Sequence, residues 1–160
     1  MTVKDAPKGT GTITEAEFEQ GMKQVANFRS LKKIPPPGSE EYISMKNEVM
    51  SDLIIAIWAF GQAEDLNVKV SDQQMAEALE KEEDSLREAG FTQATMEERV
   101  KQALVTTNLE DRLKKRANRE HRNPFELFHK ADVELETKWP PRTHCVKGFV
   151  VQQCANYQGE

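Results

Sequence analysis

The chain has 160 residues, 38% of them hydrophobic and 31% charged, enough for one real hydrophobic core under heavily solvated surfaces. A net charge of −5 weighs against nucleic acid as a partner, because phosphate backbones are held by dense Lys/Arg surfaces. The longest apolar run, from Leu53 to Phe60, falls well short of the roughly 20 residues a membrane-spanning helix needs. Met1–Asp5 leads into polar residues rather than an apolar signal core, so the expectation is a cytosolic protein or one that starts after a removed leader.

Residues 1–12 carry no periodic pattern and are expected to be a flexible N-terminal segment. Thr14-Glu15-Ala16-Glu17 is a capping box: the Thr14 hydroxyl takes the Glu17 N–H while Glu17 reaches back. Ile13 and Phe18 flank it as a hydrophobic staple, and Phe18, Met22, Val25 and Phe28 or Arg29 follow at helical spacing, giving a first helix over 15–31. Pro35-Pro36-Pro37 then breaks the helix, since proline lacks the backbone donor and favours polyproline II.

Ser39 caps a second helix running to about Asp65. One of its faces is Tyr42, Met45, Val49, Leu53, Ile57 and Phe60, and Ile54, Trp58 and Ala59 cover much of the other. A helix apolar nearly all round belongs in the middle of a bundle. Leu66–Val70 reads as an extended connection, and Ser71-Asp72-Gln73-Gln74 is a second capping box that opens a third helix through Ala89. Its inward stripe is Met75, Ala78, Leu79, Glu82 and Leu86, and Gly90 follows as a C-terminal glycine. Thr95-Met96-Glu97-Glu98 is taken as a third box, starting a helix that reaches Arg119 on the stripe Met96, Val100, Ala103, Leu104, Thr107, Leu109 and Leu113. The polar Thr106-Thr107-Asn108 is a candidate bend. Asn123-Pro124 opens a fifth helix over 124–139, with Phe125, Phe128, Ala131, Leu135 and Trp139 at helical intervals, which Pro140-Pro141 stops. The fold expectation is therefore all-α: about five helices and no extensive sheet. The domain spans 13–139, with 124–139 packing back on it, and 140–160 is a tail.

That tail is the one non-helical segment poor in core residues, with β-prone Phe149-Val150-Val151 and a turn at Gly148. Cys145 and Cys154 enclose it, and a cross-link there contributes roughly 2–3 kcal/mol by limiting the unfolded chain. Disulfide, free thiols and a metal site beside His144 remain open, although no spacing with His121, His129 or His144 matches a zinc pattern. The expectation is a disulfide-closed loop or hairpin. No nucleophile, histidine-metal or phosphate-loop motif occurs, so no catalytic residue, metal or cofactor is assigned. Charge is uneven: residues 71–98 hold nine acidic and two basic side chains, and residues 99–122 hold eight basic and three acidic ones. Two solvated helix faces that attract each other explain this, with a basic RNA-binding helix as the alternative. Met22, Met45 and Met50, with Phe18 and Tyr42, are candidates for a client-binding groove, since flexible thioethers accept varied apolar partners; ordinary core filling is the other reading.

Several segments in order resemble the N-terminal helical domain of the SurA/PrsA/PpiD type of extracytoplasmic foldase. Ile13-Thr14-Glu15-Ala16-Glu17-Phe18 is similar to its first-helix opening, Met45–Leu66 to its hydrophobic second helix, and Leu66-Asn67-Val68-Lys69-Val70-Ser71-Asp72-Gln73-Gln74 to the junction into the third. Lys138–Cys145, with Gly148-Phe149-Val150-Val151 and Cys154, resembles the ending of a bacterial subgroup. Family members usually carry a parvulin prolyl isomerase domain, and the junction near 112–124 has no room for one. The resemblance thus implies the chaperone part of a peptidyl-prolyl isomerase-type foldase, acting outside the cytoplasm. Its partners would be unfolded or partly folded exported polypeptides, with peripheral membrane proximity through a leader or anchor, as a monomer or helix-exchanged dimer. Isomerase activity by family label and a dedicated interaction or dimerisation module stand as the alternatives.

Overall fold

The structure, a computed structural model, describes residues 1–4, 6, 11–88, 90–123, 126–127, 130 and 137–159, with Ala94 and Thr95 by backbone alone. The chain is mostly helical. Among the described residues it has four α-helices, α1 (Glu15–Phe28), α2 (Glu40–Asp65), α3 (Asp72–Glu88) and α4 (Gln93–Glu120), and a 3-10 turn at Pro140–Arg142. The expected fifth helix falls largely outside the described residues; within it Glu126, Leu127, Lys130, Thr137 and Lys138 are helical, and Leu127 is buried.

Two of the three capping boxes form as expected. Glu17 N–H donates to the Thr14 hydroxyl (3.2 Å), and Gln74 N–H donates to the Ser71 hydroxyl (3.2 Å), with the reciprocal Ser71 N–H to Gln74 Oε1 bond at 3.0 Å. Ser39 caps α2 by accepting from Tyr42 N–H at 3.2 Å. The third box is corrected: α4 starts at Gln93, so Thr95 is already inside it and Thr92 is the residue before its first turn, accepting at its carbonyl from Met96 N–H (2.9 Å).

All four helices end alike, in a left-handed residue whose flanking N–H groups bond back to the last turn. The pairs are Ser30 N–H to Asn27 with Leu31 N–H to Ala26, Asn67 to Glu64 with Val68 to Ala63, Gly90 to Arg87 with Phe91 to Leu86, and His121 to Asn118 with Arg122 to Ala117. Only one of the four left-handed positions, Gly90, is glycine; Ser30, Asn67 and His121 have φ of 56°, 51° and 50°. This stop ends the first helix at Phe28 rather than at 31.

The chain divides into two compact units, Met1–Ile57 with Trp139–Glu160, and Trp58–Lys138. The long α2 contributes to both. In the first unit, Met22 and Ala26 of α1 and Met45, Val49, Met50 and Ile54 of α2 are core residues, together with Trp139, Val151 and both cysteines. Gly21 brings α1 against α2: a Cβ there would lie 2.5 Å from Val49 Cγ1. Within the segment 1–12, expected to be flexible, Thr2–Val3 forms strand β1, antiparallel to β2 (Thr143–His144) with Thr2 opposite His144 and Val3 opposite Thr143. Val3 N–H also donates to Gly11 (2.7 Å), and Thr2 bridges Thr12. Val3 is buried, and this pairing satisfies the backbone groups of a short segment that has no periodic signal of its own.

In the second unit α3 and α4 form an antiparallel hairpin around Leu86, Met96 and Val100, with Met75, Ala78, Leu79, Phe91 and Leu104 packed alongside. Glu82, Ala103 and Thr107, placed on inward stripes by spacing, are exposed, and Val105 and Ala117 are buried instead. Leu109 and Leu113 pack with Leu66 and Val68. The polar triplet in α4 does not interrupt the helix. The Thr106 and Thr107 hydroxyls bond to carbonyls one turn back, and Asn108 donates to the Lys69 carbonyl (2.9 Å), tying α4 to the loop before α3.

A cleft between the second helix and the disulfide loop

Cys145 and Cys154 are bonded (S–S 2.02 Å), and both are buried. The loop they close is a series of turns rather than a hairpin: Phe149 N–H donates to Val146 and Cys154 to Val151, and a further turn follows it, Tyr157 N–H donating to Cys154. Asn156 locks the loop a second time, its amide accepting from Cys145 N–H (3.3 Å) and donating to the Cys145 carbonyl (3.0 Å).

Three contacts fix the loop to the helices of the first unit. The rings of Phe18 and Phe149 meet edge to face at 5.1 Å, the Lys46 ammonium donates to the Gly148 carbonyl (2.7 Å), and the Ser51 hydroxyl donates to Gln153 (3.0 Å). Between them lies a cleft of about 620 Å³, floored by Ile43, Lys46, Asn47 and Ser51 at helical spacing on α2. Val150–Gln153 and Asn156–Gly159 form its other wall. Two apolar side chains stand open in it, Ile43 at 43% and Tyr157 at 46% exposure, while Asn47, Gln152 and Gln158 add amide groups. Among the described lining residues Lys46 is the one charged side chain. Such a wall offers paired donors and acceptors and modest apolar contact, which suits recognition of neutral polar chains rather than acid–base work.

The residues proposed for a client groove lie elsewhere. Met22, Met45 and Met50 are each at most 2% exposed, Phe18 is 9% exposed, and Tyr42 is half-buried. The groove expected from them is replaced by core: all three methionines are buried, and α1 comes against α2 at Gly21. Trp58 is buried as expected, whereas Phe60 is half-buried with the Lys101 ammonium 5.9 Å from its ring centroid. Family models, curated proteins and solved structures yield no match to this chain. The fold and the cleft therefore stand on their own geometry.

The remaining candidates for chemistry are scattered. His121 sits at the end of α4, His144 is on β2, and His129 lies outside the described residues. Among the described residues no group of three His, Cys, Asp or Glu is placed to hold a metal ion, and no helix is long and apolar enough to cross a membrane. Asp52 and Glu120 have perturbed carboxyls. Partial burial, reinforced by the neighbouring Glu48, raises Asp52 above the usual carboxylate range. The Arg116 hydrogen bond, with the charges of Arg116, Arg122 and Arg119, lowers Glu120. Neither belongs to the cleft lining, which sequence reading missed. The available signal was the amide-rich run Gln152-Gln153 and Asn156-Tyr157-Gln158 in a cross-linked tail.

Proposed function

We propose that the chain is a non-catalytic, chaperone-like binding protein that takes extended segments of unfolded exported polypeptides in the cleft between α2 and the disulfide loop. The observation that carries this reading is the lining itself. Half-exposed Ile43 and Tyr157 supply side-chain contact, and the amides of Asn47, Gln152 and Gln158 match the alternating N–H and C=O groups of an extended main chain. The disulfide supports a place outside the reducing cytosol, where thiols are kept reduced. The foldase resemblance of the helix openings and the tail belongs to the same proposal. It is supported by the ordered motifs in the sequence and by the capped helices they open.

The test is fluorescence anisotropy with labelled peptides from unfolded secreted proteins, paired with suppression of aggregation of an unfolded reporter at stoichiometric amounts. Ile43→Asn with Tyr157→Ala should weaken binding about ten-fold, the equivalent of losing two partly buried apolar contacts. An unchanged affinity in this variant, or aggregation that proceeds at the same rate with and without the protein, would refute the reading.

A further inference from the structure

Among the described residues no ion pair joins the acidic side chains of α3 to the basic end of α4. The hairpin register is fixed where Gln74 donates to Asn108 (3.1 Å), near the start of α3, and α4 continues past that level to Glu120. At about 1.5 Å per residue this overhang is about 18 Å long. Asp84 of α3 lies at the opposite end of the hairpin, so Arg119 is about 30 Å further along the axis.

Arg112, Lys115 and Arg119 stand exposed on the overhang, on the side of α4 away from buried Leu109, Leu113 and Ala117. Their neighbours are engaged locally: Lys114 pairs with Glu110, Arg116 with Glu120, and Arg122 with Glu120 and Glu126. Among the described residues none of the three takes part in an ion pair. On α3, Glu77, Glu80 and Asp84 are likewise exposed and outside any described ion pair. Both sets follow the same i, i+3, i+7 spacing, which places each set along one line on its helix.

From this match of sign and spacing we propose that the overhanging end of α4 docks on the acidic line of α3 in a second copy of this chain. Lys115 meets Glu80 at the centre whichever way the helices run. The pairing is electrostatic and exposed, so it is weak and governed by salt. It lies in the second unit and is independent of the cleft.

Sedimentation of the full chain tests it. Self-association should be seen at about 10 mM salt, where the screening length is about 30 Å, and vanish near 1 M, where it is about 3 Å. Arg112→Glu with Lys115→Glu and Arg119→Glu should weaken it by roughly ten-fold, as should Glu77→Lys with Glu80→Lys and Asp84→Lys, three weak pairs being removed in each. An equimolar mixture of the two reversed proteins should associate again, because each then presents the other's complement. Unchanged circular dichroism of both variants guards against misfolding. A wild-type protein that stays monomeric at low salt overturns the proposal. So does a mixture that fails to associate, or a wild-type monomer that binds heparin through the same three basic residues, which assigns the overhang to a polyanion.

Discussion

Gly21→Ala tests the close approach of α1 to α2. The new methyl would sit 2.5 Å from Val49 Cγ1 and 3.6 Å from its Cβ and Cγ2. Val49 is 2% exposed and β-branched, with one strongly preferred rotamer in a helix, so it has no easy way to yield. Overpacking of this kind costs about 2 kcal/mol, and the better helix propensity of alanine returns about 1 kcal/mol. The net expectation is a loss of about 1 kcal/mol, or roughly 2–4 °C in melting temperature for a chain of this size. Placing the same substitution in a Val49→Ala background removes the clash, so Gly21→Ala should there stabilise by about 1 kcal/mol. Urea unfolding followed by circular dichroism on the four proteins yields a coupling of about 2 kcal/mol. If Gly21→Ala stabilises equally in both backgrounds, α1 and α2 do not meet at this point.

Ser30→Gly should stabilise by about 0.5–1 kcal/mol, since the left-handed position costs a serine about 1–2 kcal/mol and glycine gives back part of that as unfolded-state entropy; a lower melting temperature would contradict the left-handed stop of α1. For Asp52 the folded pKa is raised, so its contribution is fully present below the unfolded value of about 3.9 and is lost as pH rises through the folded one. Asp52→Asn should therefore melt higher than the wild type at neutral pH and converge with it in acid; a difference independent of pH would refute this. Replacing Cys145 and Cys154 by Ser should cost roughly 2–3 kcal/mol in calorimetry. A loss below about 0.5 kcal/mol would mean that the Asn156 clamp and the Lys46 contact hold the loop without the cross-link.

The sequence by itself determined what is decided within a few residues of chain. A capping box closes over three residues, so Thr14 with Glu17 and Ser71 with Gln74 announced the starts of α1 and α3 to the residue, and Ser39 did the same for α2. The Cys145–Cys154 bond was legible for a similar reason, because it closes a short loop that has little core of its own. What required the tertiary structure was every question of what faces what. Side-chain type marked Met22, Met45 and Met50 as candidates for an apolar groove but left open whether water or protein covers them; the structure buries all three, and α1 comes against α2 at Gly21. Strand β1 had no local signal, since two residues form a strand only when a partner far along the chain supplies the other half of the hydrogen bonds. The cleft likewise combines residues of α2 with a tail about a hundred positions later, as in the Lys46–Gly148 and Ser51–Gln153 contacts. Charge blocks behave the same way: composition reveals their sign, but only the register set at Gln74 and Asn108 shows that the basic end of α4 runs past the line of Glu77, Glu80 and Asp84 on α3.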